Sequence, residues 1–400
     1  MSISPSFRAD ERHGAQAGVE RALPEERTER SATTASIDEP ESLLGPARRP
    51  VARFKACGAL YALAALATFA CGGAGFESKS KVDSVRLFAA RADKPYAKPG
   101  ETVNLEVLAY DGRANPKRPM RHYFLPFTCL NPVSDSYVGC FLPGVLAPPD
   151  GGAPPGSADA GAGTGAAGGG FLSGVQDGTD LTPILVQGTR YSYKVPASAV
   201  ITRKETPDEP YGLTIVFTVA CAGRVVFKRP DLATRQQVPL ACVDEDGVNV
   251  PPQDYVLGIH RVYIYEQKTN ENPVLQGLTA DGKPVDPSVG IEVDRCLLTK
   301  RASCPELKLD VVVPETSWQL QEGVKTAEGA EAREQLWVDY YATQGDVESA
   351  RLVFDVGSGR VPESAAKLTA GSVAGEGSLF AVLHDNRGGV AWTRVPFRVK

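Results

Sequence analysis

The chain has 400 residues, and 43 Lys and Arg against 48 Asp and Glu leave a formal net charge of −5. That balance keeps a protein soluble and lacks the clustered Lys and Arg on which non-specific nucleic-acid binding relies; no basic stripe with interleaved aromatics occurs, so nucleic acid is not an expected partner. Residues 1–70 carry nine basic and nine acidic groups, so the whole negative excess falls on the roughly 330 residues that follow, enough for two domains of ordinary size.

Residues 1–50 hold nine acidic residues, seven Arg, no Lys and few apolar side chains. Such a stretch cannot bury enough surface to offset the entropy of ordering it. It reads either as a disordered leader or as a mis-assigned start, since Val51 is a residue whose codon can initiate in bacteria. Residues 51–70 then read as a signal peptide. The apolar run Ala56–Ala70 is 15 residues long and follows Arg48, Arg49, Arg53 and Lys55. A membrane-crossing helix needs roughly 20 apolar residues. Fifteen behind a positive flank suits the apolar region of an export signal, with the flank held in the cytoplasm.

The run ends at Ala70-Cys71, followed by Gly72-Gly73-Ala74-Gly75. Here the chain resembles a bacterial lipoprotein precursor, a family in which a small residue precedes a cysteine that is lipidated on sulfur and becomes the mature N-terminus. Ala70 and Cys71 match; Thr68 and Phe69 stand where the family usually has Leu and a small residue. The resemblance implies lipidation of Cys71 and membrane attachment through an N-terminal lipid anchor in the cell envelope, at the outer membrane. Ordinary secretory cleavage after Ala65-Leu66-Ala67 and an uncleaved anchor are the other readings of the same run. Residues 71–81, rich in Gly, Ser and Lys, read as a tether.

Strand signals begin beyond it. Val82–Arg91 and Thr102–Ala109 flank the turn Lys98-Pro99-Gly100, and Val103 to Val107 alternates apolar with polar as a half-buried strand does. His122 lies in a further strand-like run. Residues 147–170 consist of Gly, Ala, Pro, Ser, Thr and Asp alone, a flexible insertion with nothing to build a core from. Tyr191–Val195, Leu213–Ala220, Arg224–Phe227 and Tyr255–Tyr265 follow as strands rich in Val, Ile and Tyr. Glu266–Asn272 is polar and meets Pro273, a domain boundary. Val274–Thr279, Val289–Val293, Leu307–Val313, Gln335–Ala342 and Ala350–Val356 continue the pattern. Leu379–His384 and Val390–Val399 read as a closing hairpin across Asp385 to Gly389. Pro396 then needs an edge or terminal strand, and Thr326–Gln335 is the one helical candidate.

Many short strands separated by turns indicate an all-β sandwich architecture. The segments KPGETVNLEVLAYDGR and SLFAVLHDNRGGVAWTRVPFRV resemble the early strands and closing hairpin of bacterial immunoglobulin-like modules. The resemblance implies two such sandwiches, over residues 82–268 (with the insertion 147–170) and 272–400, and a role on the cell surface.

The search for chemistry is mostly negative. Cys129, Cys140, Cys221, Cys242, Cys296 and Cys304 lack CxxC spacing and a nearby His pair, so disulfides fit better than metal ligation. Six cysteines allow fifteen pairings; the shortest loops are Cys129–Cys140, Cys221–Cys242 and Cys296–Cys304. No phosphate loop, nucleophile elbow or HExxH appears, and neither a cofactor nor a metal is expected. Asp244 to Asn249 reads as an acidic turn. His122 and His260 read as structural residues, and His384 and Asp385, adjacent on a strand, point to opposite faces. In Leu336 to Ala342, alternation puts Leu336, Val338, Tyr340 and Ala342 on a core face. Trp337, Asp339 and Tyr341 fall on the other, a candidate stacking platform for a sugar or a partner strand. The expected role is non-catalytic binding or scaffolding, with envelope proteins or polysaccharide as partners. A secreted carbohydrate-active enzyme using carboxylates distant in sequence is the alternative.

Overall fold

A computed structural model of the chain describes residues 79–141, 174–204, 209–230, 238–297 and 304–400. The leader, the signal segment, Cys71, most of the tether and the 147–170 insertion lie outside these residues. Among the described residues the regular structure is all β, interrupted only by short 3-10 turns.

The first ten strands are β1 (Val85–Ala92), β2 (Tyr96–Ala97), β3 (Thr102–Asp111), β4 (Arg121–Leu130), β5 (Val186–Gln187), β6 (Arg190–Lys194), β7 (Gly212–Cys221), β8 (Arg224–Phe227), β9 (Leu240–Val243) and β10 (Tyr255–Ile264). They form a three-stranded sheet ordered β1-β3-β6, a five-stranded sheet ordered β2-β10-β7-β4-β5, and the hairpin β8-β9. The two larger sheets face each other across a core that joins Val103, Leu105 and Val107 to Phe124, Val216 and Ile264. Strand β7 is buried along its whole length, because its other face is covered as well. Leu213, Ile215, Phe217 and Val219 pack there against Phe227, Leu240, Cys140 and Cys242. The alternation that assigns one face of this strand to a core therefore finds a core on both sides. The hairpin and the neighbouring loops act as a third layer.

Disulfides Cys129–Cys140 and Cys221–Cys242 staple that third layer, with Cα separations of 5.7 and 5.9 Å. Cys296–Cys304, at 5.4 Å, closes a loop further along. The pairing is the short-loop one.

The remaining strands are β11 (Gly277–Ala280), β12 (Lys283–Pro284), β13 (Ile291–Val293), β14 (Glu306–Val312), β15 (Leu320–Lys325), β16 (Glu331–Arg333), β17 (Leu336–Ala342), β18 (Asp346–Val347), β19 (Ala350–Asp355), β20 (Gly359–Arg360), β21 (Ala366–Thr369), β22 (Gly375–Asp385) and β23 (Val390–Val399). Sheets ordered β12-β11-β14-β21-β18 and β13-β23-β22-β17-β19-β20 enclose a second core containing Leu309, Val311, Leu368, Val338, Tyr340 and Phe397. Pro396 does lie in the last strand, yet that strand is not an edge: β13 pairs beside it in parallel, starting at Phe397, one residue past the proline. Gly290 makes the approach possible. Its φ is +80°, and a Cβ there would stand 2.0 Å from the Pro396 carbonyl oxygen.

Two expectations need correction. Thr326–Gln335 is not helical; Thr326 to Ala330 forms the turn of the β15-β16 hairpin, closed by Thr326 N–H donating to Ala330 O and Gly329 N–H donating to Thr326 O. The polar run carries no apolar stripe that would hold a helix against the core. The tether also ends sooner than residue 81. Ser80 is fully buried, Ala342 N–H donates to Ser80 O, and Val82 N–H donates to Ala342 O, each at 2.9 Å. The chain thus pairs with β17 of the second sandwich before it enters the first.

An apolar seam joins the two sandwiches. Phe88 and Ala89 of β1 and Val82 pack against Phe380, Val382 and Val390, with Tyr341 and Trp392 at the margin. A bulge makes this possible: Leu87 opposes Ala109 and Ala89 opposes Leu108, leaving Phe88 as the extra residue. Strict alternation would turn Ala89 inward with Leu87. The extra residue lets Leu87 and Ala90 both reach the first core while Phe88 and Ala89 both face the seam.

Candidate functional site

The Trp337, Asp339 and Tyr341 side chains do share a face of β17 opposite the core, as the alternation requires. That face is covered in part by the seam. Tyr341 packs on Phe88 with ring centroids 4.5 Å apart. Trp337 stacks on His384 at 5.2 Å and 15° between planes, and Asp339 lies 3.2 Å from His384 Nε2. The three residues therefore do not form one open platform, because Tyr341 and its neighbours are engaged in joining the sandwiches.

The other histidine with resolved partners is structural in its geometry. Both ring nitrogens of His122 are engaged, by Gly188 O and Thr218 Oγ1, and burial holds its pKa below the ordinary value. Asp385 turns inward, away from His384. Its Oδ1 accepts from the Arg387 and Gly389 amides at 2.7 Å each, which shapes the closing hairpin loop. Asp244 likewise serves its own turn by accepting from the Asp246 and Val248 amides. Among the described residues no cluster of His, Cys, Asp and Glu is arranged to hold a metal.

A different constellation lies where the connecting stretch 265–274 crosses between the sandwiches. Asn272 donates to Ala92 O in the first and accepts from Val390 N–H in the second, at 2.7 and 2.8 Å. Asn270 donates to Asp385 Oδ2, and Arg387 donates to Thr269 O, each at 3.3 Å. Beside this crossing is a cleft of about 450 Å³. One wall carries Tyr96 and Tyr265; Gln319, Gln321, Asn386 and Arg387 form the other.

The tyrosine wall is built from three segments. Tyr96 and Tyr263 are register partners in the parallel β2-β10 pair, and Tyr265 continues the Tyr263 face two residues on. Tyr96 and Tyr265 rings lie 4.8 Å apart, and Tyr211 touches Tyr263 and Tyr265 at 5.7 and 6.0 Å. Cations hold the rings from outside: Arg387 over Tyr96 at 5.7 Å, Lys268 over Tyr265 at 5.4 Å and Arg203 over Tyr211 at 4.2 Å. Burial pushes the Tyr96 hydroxyl up to about 12, with Arg387 pulling the other way, and burial raises Tyr265 as well. The Tyr96 and Tyr265 phenols are therefore neutral at physiological pH.

Behind Arg387 sits Glu334, whose side chain is fully buried and accepts from the guanidinium at 2.6 Å. Burial, reinforced by the Asp385 charge, pushes Glu334 up to about 7 despite Arg387. The folded carboxyl therefore holds its proton over a range in which the unfolded one, at 4.5, has lost it. Stability from this group is greatest below the unfolded value and declines as pH rises towards about 7, by about 3 kcal/mol at most. Urea unfolding at about pH 5 and about pH 8 should show that decline. Glu334→Gln, which removes the titration, should flatten it; an undiminished slope in the variant would assign the pH dependence elsewhere.

None of the cleft was foreseen from the sequence. Its tyrosines come from positions far apart in the chain, and its second wall joins the start of β15, which the sequence did not mark as a strand, to the loop between β22 and β23. The pairing of Tyr263 with Tyr265 at strand spacing was the one local signal.

No protein-family model and no curated protein matches the chain. Solved structures that the chain matches include the fibronectin(III)-like modules of Clostridium thermocellum CbhA, at 10% identity over 78% of this chain and 93% of that one, with a TM-score of 0.18. Dimeric latent PorU from Porphyromonas gingivalis matches at 10% identity over 80% of this chain and 24% of its own, also with a TM-score of 0.18. A Salmonella alpha-2-macroglobulin mutant matches at 11% identity over 79% and 16%, again at 0.18. The chain spans a quarter or less of the last two, and the all-β sandwich assignment rests on the sheets described above rather than on these likenesses.

Proposed function

We propose that this chain is an exported bacterial envelope lipoprotein, held to the membrane through lipid on Cys71, which binds or scaffolds envelope proteins or polysaccharide without catalysis. The observation that carries the reading is the pairing of Cys129, Cys140, Cys221, Cys242, Cys296 and Cys304 into three disulfides, which form and persist in oxidising compartments. Two sandwiches fixed by an apolar seam suit a rigid display role.

The test is expression in a bacterial host with a clickable fatty acid, followed by envelope fractionation and thiol counting. Wild-type protein should carry label and sediment with membranes, with its six paired cysteines unreactive to alkylation before reduction. Cys71→Ser should lose the label and leave the membrane fraction. Unlabelled protein in the cytosol with all thiols reactive would overturn the proposal.

A further inference from the structure

We propose that the cleft between Tyr96 and Tyr265 on one side and Gln319, Gln321, Asn386 and Arg387 on the other is a binding site for an uncharged oligosaccharide. This deepens the binding role proposed above but does not depend on lipidation of Cys71. Three features of the cleft carry it.

The first is the tyrosine wall. A pyranose ring offers an apolar face of C–H groups that packs on an aromatic plane, while its hydroxyls point sideways to polar partners; half-buried tyrosines supply an apolar body with a polar tip. Tyr96 and Tyr265 touch each other and are flanked by Lys268 and Arg387, so the rings are held before a ligand arrives and little ordering entropy is lost on binding.

The second is the hydrogen-bonding inventory of the facing wall. Gln319 Nε2 donates to Glu271 O and Gln321 Nε2 to Arg333 O, which fixes both amides. Each keeps its carbonyl oxygen as an acceptor. Asn386 is fixed the other way, its Oδ1 accepting from Gln335 N–H, so its amide hydrogens are the ones available. Rigid acceptors beside rigid donors match hydroxyls, which both donate and accept.

The third is charge. Lys268 pairs with Glu209, and Arg387 is held by hydrogen bonds to Glu334 and Thr269 O, so both cations at the cleft are already engaged by carboxyl groups of the protein. An anionic ligand would have to compete with those carboxyl groups. An extended peptide would want apolar side-chain pockets, and the apolar residues here, Leu320 and Val324, are exposed singly on the hairpin.

The full-length protein should be titrated calorimetrically with cellohexaose and N-acetylglucosamine hexamer as uncharged probes and hexagalacturonate as the charged comparator. At least one uncharged probe should bind, and the comparator should bind at least tenfold more weakly. Tyr265→Ala should weaken binding about tenfold, the worth of one aromatic contact. Thr269→Trp, at an exposed position that lines the cleft, should block it while leaving the melting temperature unchanged. Trp337→Ala, in the seam-side face of β17, should leave the affinity as it was if the protein still melts cooperatively. Absence of binding by both uncharged probes at about 1 mM overturns the proposal. So does equal binding of the charged probe, or unchanged binding by Thr269→Trp.

Discussion

Phe88→Ala is expected to destabilise the protein by about 3–5 kcal/mol and to split its thermal unfolding into two transitions. The magnitude is that of removing a buried aromatic ring. Phe88 sits against Tyr341 at 4.5 Å and Phe380 at 4.6 Å, and belongs to neither sandwich core. The split follows from this position. Each sandwich has its own closed core, and the seam is the apolar contact through which the unfolding of one is felt by the other. Calorimetry of wild type should give one endotherm and that of the variant two. A variant with a single endotherm at the wild-type temperature would show that the seam couples nothing. Ala90→Gly on the same strand, which faces the first core, serves as the comparison, since it should lower one transition without separating two.

The second large effect concerns the staples. Replacing Cys221 and Cys242 together with alanine should cost about 3–5 kcal/mol. Closing the 21-residue loop contributes about 3 kcal/mol through the unfolded chain, and the remainder is the packing of two sulfurs buried among Leu213, Val225 and Leu240. Alanine is preferred over serine because a hydroxyl in this core would lack a partner. The Cys296–Cys304 pair closes only 8 residues and lies at the margin of the second sandwich, so its removal should cost about 2 kcal/mol. Urea denaturation of both double variants tests the ordering. A difference of no more than about 1 kcal/mol would mean that loop closure alone, and not the buried third layer, sets the contribution.

Much of the architecture was legible because strand alternation is a local property. Val103, Leu105 and Val107 face the first core, and Leu336, Val338, Tyr340 and Ala342 face the second, as their spacing indicates. What alternation cannot report is what covers the opposite face. For Tyr341 that cover is Phe88, which reaches the seam through a bulge that the sequence of β1 does not advertise. The run around His122 read as strand-like, yet its interior place between β7 and β5 was hidden by Pro126. The structure accommodates the proline at an irregularity between Phe124 and Thr128, where the pairing with β7 is interrupted. The β15-β16 hairpin was missed for the opposite reason: its strand residues are mostly exposed and polar, so neither period stands out. The cleft depends on both the hairpin and the β2-β10 pairing, and was therefore beyond reach of local pattern.

The clasp of Ser80 and Val82 onto Ala342 sets how the molecule would respond to being pulled. Tension arriving along the backbone from the N-terminal side of residue 79 meets those hydrogen bonds at β17 before it can reach β1. The C-terminal sandwich would bear the load first, and the sandwich nearer in sequence to the point of traction would be shielded until the clasp gave way.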